Sequence, residues 1–197
     1  MLFDPAGMKT REIYALMIDL IIPRPIALVS TVAASGARNL APFSYYIGLS
    51  PRPPLVGISV ARRHGMQKDT AANIRETEQF VICATTEAIL SQVVITSGDY
   101  ASEVDEFALS GLSPVASDLV APPRVAESPV AMECRLDRMV DLHGSADLII
   151  GEVLRFHVDD ALLHNHRIDP RRLQPVGRLG SNLYSKLGEL LVRDRPQ

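Results

Sequence analysis

Residues 25–61 have the sequence PIALVSTVAASGARNLAPFSYYIGLSPRPPLVGISVA, and this stretch decides the fold class. It contains three β-branched or aromatic runs, at 25–33, 40–49 and 55–61, and the turn-forming sequences SGAR and SPRPP separate them. Strands joined by such short turns pair antiparallel. The strict βαβα alternation of a doubly wound sheet is missing. The stretch therefore favours a mainly β fold, an antiparallel barrel with peripheral helices.

The remainder of the chain adds strands and helices to this barrel. Further strands are predicted at 80–85, 130–142 and 146–160, and helices are predicted from Asp69 or Thr70, at 87–97 and at 104–112. A proline-rich connection at 113–129 is long for a structureless loop, which predicts that it wraps a partner or covers a site. No linker divides the chain, so one domain over 1–197 is expected.

Composition excludes several classes of protein. The chain has 197 residues, 47% of them apolar, and a net charge of −3, which argues against indiscriminate nucleic-acid binding. The charge is uneven, because residues 1–75 hold nine Lys/Arg and four Asp/Glu, a net of +5. No signal peptide or membrane span is recognisable, and Cys83 and Cys134 are typical of buried, reduced thiols. A cytoplasmic protein without nucleic-acid or membrane partners is expected.

The segment 61–74, ARRHGMQKDTAANI, offers the groups that bind a phosphate. It follows a strand, carries Arg62, Arg63 and Lys68, and enters a helix whose free N–H groups and dipole attract anions. A solvated basic loop with an ordinary helix cap would have the same sequence features, so both interpretations stay open at this point.

The segment 39–46 combines Asn39, Ser44 and two tyrosines within an otherwise apolar strand. Amide and hydroxyl groups beside flat apolar surface suit a planar heteroaromatic ring. An ordinary hairpin with an amphipathic second strand is the alternative.

Residues for direct catalysis are scarce. No HExxH or GxSxG motif occurs, and neither catalytic residues nor a metal site are predicted. His164 and His166 share a loop that could bind a metal, although a solvated loop is favoured. A bound organic cofactor would therefore have to supply any chemistry.

Several motifs, in order along nearly the whole chain, carry a family resemblance. They are PRPIALVSTV (23–32), NLAPFSYYIGLSPRPPLVGISV (39–60), KDTAANIRET (68–77), VDEFALSGL, PPRVAESPVAMECRL, GEVLRFHVDD and PVGRLGSNLY. With these motifs the chain resembles the flavin reductase-like family of FMN-binding split-barrel proteins. The resemblance implies a six-stranded antiparallel Greek-key split barrel and a homodimer with FMN at or near the subunit interface.

The resemblance also implies a set of cofactor-binding residues. The flavin ring would lie against the segment 39–45, with the strand around Ser30 and Thr31 nearby. The phosphate would be bound by Lys68, Asp69, Thr70 and Arg62. The ring-binding residues implied are Asn39, Ala41, Pro42, Phe43, Ser44 and Tyr45.

The implied activity is that of an FMN-dependent oxidoreductase, in which NADH or NADPH passes a hydride to flavin N5 and the flavin reduces an acceptor. One departure matters: related reductases often have a histidine where this chain has Ala146, and His143 is displaced by three positions. A non-catalytic FMN-binding electron carrier or flavin-storage protein is therefore the alternative. A barrel that has lost its cofactor and serves as an interaction module is disfavoured by the intact KDT stretch.

Overall fold

A computed structural model describes residues 1–194 and 196. In chain order its strands are β1 (Ala27–Val32), β2 (Arg38–Phe43), β3 (Tyr46–Pro51), β4 (Pro54–Ala61), β5 (Gln79–Ala84), β6 (Pro114–Val115), β7 (Arg124–Val125), β8 (Val130–Leu142), β9 (Ala146–Val158), β10 (Leu163–His164), β11 (Arg167–Ile168), β12 (Gly177–Arg178) and β13 (Tyr184–Ser185). The α-helices are α1 (Thr10–Leu20), α2 (Asp69–Thr77), α3 (Leu90–Ile95), α4 (Glu106–Ser110) and α5 (Pro170–Leu173), and 3₁₀ turns occur at Pro5–Gly7, Glu87–Ile89 and Asp160–Leu162.

The main sheet has seven strands in the order β2-β1-β5-β8-β9-β4-β3, and every neighbouring pair is antiparallel. The two strands at the ends of this order, β2 and β3, are consecutive in the chain. Only Ser44 and Tyr45 separate them, and Tyr45 accepts a backbone hydrogen bond from Ser59 of β4 at 2.8 Å. The sheet must therefore curve until its two edges meet at this bend.

The expected count of six strands is wrong because the run 40–49 is two strands. Phe43 is the last residue of β2 to pair with β1, and Tyr46 is the first of β3 to pair with β4. The chain bends between these two registers. Composition alone cannot show that the chain changes its pairing partner from β1 to β4 here, because the residues of β2 and β3 are equally typical of a strand.

The other strands of the main sheet lie close to the predicted ranges, whereas the short strands outside it were not predicted and two helical segments differ. The predicted helix at 87–97 is a 3₁₀ turn, Glu87–Ile89, followed by α3, and the N-terminal helix α1 was not predicted. The segment 113–129 forms the short hairpin β6–β7 and places Val120 and Val125 in the core of its own chain. No helix in the described part is long and apolar enough to cross a membrane.

Two apolar clusters fill the two sides of the sheet. In β1, Ala27 and Val29 belong to one cluster and Leu28 to the other, as the strand period of two requires. Helix α2 packs into the first cluster through Ala71 and Ile74. The thiols of Cys83 and Cys134 are free and buried, as predicted, and burial raises the pKa of Cys83 to about 12.

Candidate functional site

Two adjoining cavities lie where α2 begins and where the chain bends after β2. One has a volume of about 320 Å³ and the other of about 790 Å³. Pro42, Phe43 and Lys68 line both cavities. The two cavities therefore share part of their wall, and together they are called the groove. Its ends differ in chemistry.

The smaller cavity is the polar end. Lys68 immediately precedes α2, a nine-residue helix whose first N–H groups have no intrahelical acceptor. Thr70 and Arg63 also line this cavity. Within residues 1–194 and 196 the Lys68 ammonium has neither a hydrogen-bond nor an ion-pair partner, so its charge is available to a ligand. The helix dipole and this ammonium attract the same kind of group, an anion.

Acidic residues also line the polar end. Asp69 accepts a hydrogen bond from the Ser102 hydroxyl at 2.8 Å, and Asp99 pairs with Arg63 at 3.5 Å. Glu106 is buried and accepts the backbone N–H of Leu40 at 3.0 Å. Burial raises the pKa of Glu106, and the hydrogen bond from Leu40 opposes this shift. These acids hold the loop 96–102 and α4 against the site.

A buried network fixes the residues beneath this end. Asn39 donates through its amide to the hydroxyls of Thr31 and Thr70, each at 3.0 Å. Asn73 of α2 donates to the same Thr31 hydroxyl at 3.1 Å. The network therefore ties β1, β2 and α2 together, and it places Thr70 at the cavity wall. Thr31 itself lies beneath the site and lines neither cavity.

Arg62 lies at the wall of the larger cavity, but its guanidinium is engaged by carboxylates. It bonds Asp147 through Nε at 3.0 Å and through Nη2 at 2.6 Å, and it reaches Asp141 at 3.0 Å. The hydrogen bond from Arg62 holds the pKa of Asp147 below its ordinary value although the carboxyl is fully buried. The phosphate contact implied for Arg62 stays a prediction, and Arg63 is the arginine that lines the polar cavity.

The larger cavity is the apolar end of the groove. Helix α1 contributes Ile13, Tyr14 and Met17, and the bend contributes Ser44 and Tyr45. The Tyr45 hydroxyl is buried without a hydrogen-bond partner in the described chain. Its pKa is raised by burial first and by Tyr14 second, while Arg24 acts in the opposite direction. A buried hydroxyl beside flat apolar walls suits a ligand that combines an aromatic ring with polar edge atoms.

All of the implied cofactor residues line this groove except Ser30 and Thr31. Ser30 is fully buried on the face of β1 that carries Leu28, away from the face that carries Thr31. Ala146 lines the apolar end. A methyl group therefore lies in this wall at the position where related reductases often have a histidine. His143 lies two positions before Ser145 in an exposed turn and lines neither cavity.

Sequence reasoning missed three parts of the groove. Tyr14 and Met17 belong to α1, whose helical spacing of apolar residues was a usable signal. Tyr100 lies outside the recognised motifs, and Glu106 lies in the motif VDEFALSGL, to which no site role is assigned; only tertiary folding brings the two residues to α2. Arg63 was named within the basic segment but was not assigned to the phosphate.

The histidines form no part of this groove. His164 and His166 lie in an exposed turn at β10–β11. Among the described residues, the side chains of Asp118, Glu133 and His157 have potential metal-ligand atoms that lie within 4.8 Å of one another. However, the buried Glu133 carboxylate already accepts from the backbone N–H groups of Asp118 and Leu119 and contacts His157 at 2.6 Å. This cluster therefore ties the 113–129 segment to β8 and β9.

Comparison with known proteins places the chain in a family. Residues 20–173 match the family model described as a flavin reductase like domain. An uncharacterised protein of Halalkalibacterium halodurans is 39% identical over 202 residues, which cover 100% of this chain and 97% of that protein.

Solved structures agree with this match. Nitrilotriacetate monooxygenase component B from Bacillus cereus superposes with a TM-score of 0.96 at 35% identity, covering 98% of each chain. The 2-nitrobenzoate 2-nitroreductase of Pseudomonas fluorescens superposes with a TM-score of 0.91 at 29% identity, covering 100% of this chain and 96% of that one. This chain, with its curved seven-stranded sheet, is a member of the flavin reductase-like family of split-barrel proteins.

Proposed function

We propose that this protein binds FMN and acts as an oxidoreductase that takes a hydride from NADH or NADPH and passes electrons to a small-molecule acceptor. The observation that carries the proposal is the pair of adjoining cavities, one beside a cationic helix start and the other with apolar and aromatic walls. Two structural relatives, a monooxygenase component and a nitroreductase, are named for redox activities.

The polar end fits a phosphate group. The free Lys68 ammonium, the N–H groups at the start of α2 and the Thr70 hydroxyl converge on the same cavity. A phosphate monoester has the charge and the acceptor oxygens to satisfy all three. Asp69 would then help by orienting Ser102 and the helix start rather than by touching the phosphate.

The apolar end fits a flavin ring. Strand β2 is an edge strand, so its outward N–H groups are not used by the sheet. The Leu40 N–H is used by Glu106 and Pro42 has none, which leaves the N–H of Ser44 as the next outward donor. In the described chain the Ser44 N–H has no partner. It would stabilise negative charge that develops along one edge of the ring.

Each part of the chain then has a defined task. Bound FMN would supply the hydride chemistry. Lys68 and α2 would hold the phosphate, the bend at Ser44 and Tyr45 would orient the ring, and Tyr14 and Met17 would exclude water from one wall. Neither a covalent nucleophile nor a metal is required.

Anaerobic mixing of the FMN-loaded protein with NADH or NADPH tests the activity. We expect the visible flavin absorption to bleach with at least one of the two nicotinamides. The second candidate, an FMN-binding electron carrier or storage protein, is favoured by Ala146, because a methyl group cannot donate a hydrogen bond to a nicotinamide. A protein that binds FMN but is reduced by neither nicotinamide would support this second candidate.

The proposal includes a homodimer. Helix α1 has no buried residue although it is amphipathic, and Leu20, Ile21 and Ile22 at its end are 72%, 52% and 49% exposed. Ile47 and Leu49 on the edge strand β3 are also exposed. A second copy of the chain would cover these apolar groups and the open side of the larger cavity. Such a protein would work in the cytoplasm, where nicotinamides are available.

Light scattering at micromolar concentration tests the dimer. The wild-type protein should have twice the mass of the chain, and Leu20→Glu should shift it toward the monomer. Leu109→Glu, at an exposed leucine on α4, serves as the control and should stay dimeric. A monomeric wild type would contradict this part of the proposal.

A further inference from the structure

Arg24 is a buried arginine three residues before β1. Its residue exposure is 4%, and its guanidinium donates four hydrogen bonds. Two go to the carbonyls of Ile18 and Ile21 at the end of α1, both at 2.6 Å. The others go to the Leu179 carbonyl at 2.8 Å and to the Ser44 hydroxyl at 3.2 Å. Arg24 therefore joins α1, the tail and the bend of the apolar cavity.

Every one of these acceptors is a neutral oxygen. Within residues 1–194 and 196 no carboxylate lies within ion-pair distance of Arg24. The C-terminal dipole end of α1 partly offsets its charge. Arg62 differs, because the carboxylates of Asp147 and Asp141 neutralise it. Arg11 and Lys68, which line the larger cavity, form no ion pair in the described chain either, but both are exposed, whereas Arg24 is buried.

This charge lies directly behind the cavity wall. Ser44 and Tyr45 line the larger cavity, and the Arg24 guanidinium lies 6.0 Å from the centroid of the Tyr45 ring. The charge also acts on the buried Tyr45 hydroxyl, whose pKa it lowers against the effect of burial. Because Arg24 is buried, water screens its charge less than it screens an exposed one.

We propose that Arg24 is a positioning residue of the flavin site, one that holds the bend at Ser44 and favours reduced over oxidised FMN through its unpaired positive charge. This inference rests on the proposed binding of FMN. Reduction of the flavin adds negative charge to the ring, so a nearby fixed cation stabilises the reduced form more than the oxidised form. The four hydrogen bonds keep the cation in place and add no compensating anion.

The test measures the dissociation constant of oxidised FMN and the two-electron midpoint potential of bound FMN in four proteins. They are the wild type, Arg24→Gln, Arg24→Lys and the control Arg124→Gln. Arg124 is a suitable control because it is half-buried, donates to the Ala116 carbonyl at 3.0 Å and lines neither cavity. A general effect of replacing a partly buried arginine would appear in the control as well.

We expect Arg24→Gln to weaken the binding of reduced FMN relative to oxidised FMN about tenfold, which equals a fall of about 30 mV in midpoint potential. Arg24→Lys retains the charge, so it should stay close to the wild type, as should the control. An unchanged potential in Arg24→Gln would overturn the inference, and so would an equal fall in Arg24→Lys.

The outcomes remain decisive if Arg24→Gln does not fold. If Arg24→Lys then binds reduced FMN tenfold more weakly relative to oxidised FMN than the wild type does, the inference is overturned. A midpoint potential of Arg24→Lys near the wild-type value supports the role of charge. The wild-type titration comes first and separates the two proposals. If the wild type binds no FMN, both proposals are overturned. If the wild type binds FMN and its midpoint potential equals that of the variants, only the role of Arg24 is overturned.

Discussion

At the scale of single residues, the site depends on polar groups that are buried beneath it. The Thr31 hydroxyl is fully buried and accepts hydrogen bonds from both Asn39 and Asn73. Asn39 in turn orients Thr70 at the cavity wall. Thr31 thus fixes the positions of its neighbours and lines neither cavity itself.

Thr31→Val should destabilise the protein by about 1–3 kcal/mol, because the amides of Asn39 and Asn73 would lose a buried acceptor. FMN binding should weaken as well, since Thr70 would lose its support. Urea unfolding and FMN titration measure the two effects. Thr85→Val is the matched control, because the buried Thr85 hydroxyl has no partner in the described chain. Thr85→Val should leave the free energy of unfolding unchanged or raise it slightly. An equal loss of stability in both variants would contradict the role of the network.

Lys68→Ala should weaken FMN binding about tenfold to a hundredfold, because a charge-assisted hydrogen bond contributes about 1.5–3 kcal/mol. The melting temperature without FMN should change little, since Lys68 makes no ion pair in the part of the chain that is described. Lys186→Ala, at an exposed lysine paired with Glu87, is the control and should bind FMN normally. A variant that melts earlier yet binds FMN as before would show that Lys68 is structural.

The residues of the groove differ in how well sequence predicts them. Lys68, Asp69 and Thr70 were predictable because a basic loop and a helix start are adjacent in the chain. Arg62 and Arg63 look equivalent in sequence, and the carboxylates of Asp147 and Asp141, 85 and 79 positions after Arg62, distinguish them. Ser30 and Thr31 are neighbours, but the strand period of two directs them to opposite faces. Sequence does not show which of the two faces of β1 packs against α2.

At the scale of elements, Asp147 connects four parts of the fold. This buried carboxylate at the start of β9 bonds Arg62 at the end of β4 and accepts from Gln67 at 3.0 Å. It also lies 3.7 Å from Arg75 of α2. The loop that presents Lys68 is therefore anchored to the sheet on both sides. The position of the helix start depends on a single ionised group.

The stability of the protein should depend on Asp147 in acid. Because the hydrogen bond from Arg62 lowers the pKa of Asp147 in the folded state, its contribution is complete above the ordinary value of 3.8 and is lost as the pH falls through the folded-state pKa. Asp147→Asn should therefore be less stable near neutral pH and show a shallower loss of stability in acid. Urea unfolding at a series of pH values measures both effects.

Asp137→Asn is the control for this experiment. Asp137 pairs with its neighbour Arg138 at 2.6 Å on the surface, where ion pairs contribute little. Its acid profile should follow that of the wild type. An Asp147→Asn protein with the wild-type profile would show that the buried pair does not govern acid stability.

The element that sequence described least well is the run 40–49. Its residues suit one long strand, yet pairing with β1 on one side and with β4 on the other divides it at Ser44 and Tyr45. Strand propensity is local, whereas the choice of partner depends on the whole sheet. The same bend creates the apolar end of the groove. The strand count and the site geometry therefore have one cause.

At the scale of the whole molecule, the curvature of the sheet brings the ends of β2 and β4 and the start of β9 together beside α1 and α2. Antiparallel strands and outer helices were predictable from short turns and from strand period. The groove was not, because its walls come from segments more than 100 positions apart. Its polar and apolar ends, taken together, match the two ends of FMN.

Equilibrium titration of the FMN-free protein with FMN and with riboflavin tests this match most directly, since the two ligands share a ring and differ by the phosphate. If Lys68 and the start of α2 bind the phosphate, FMN should bind at least about a hundredfold more tightly than riboflavin. Equal affinities for the two ligands, or no binding of either, would contradict the account.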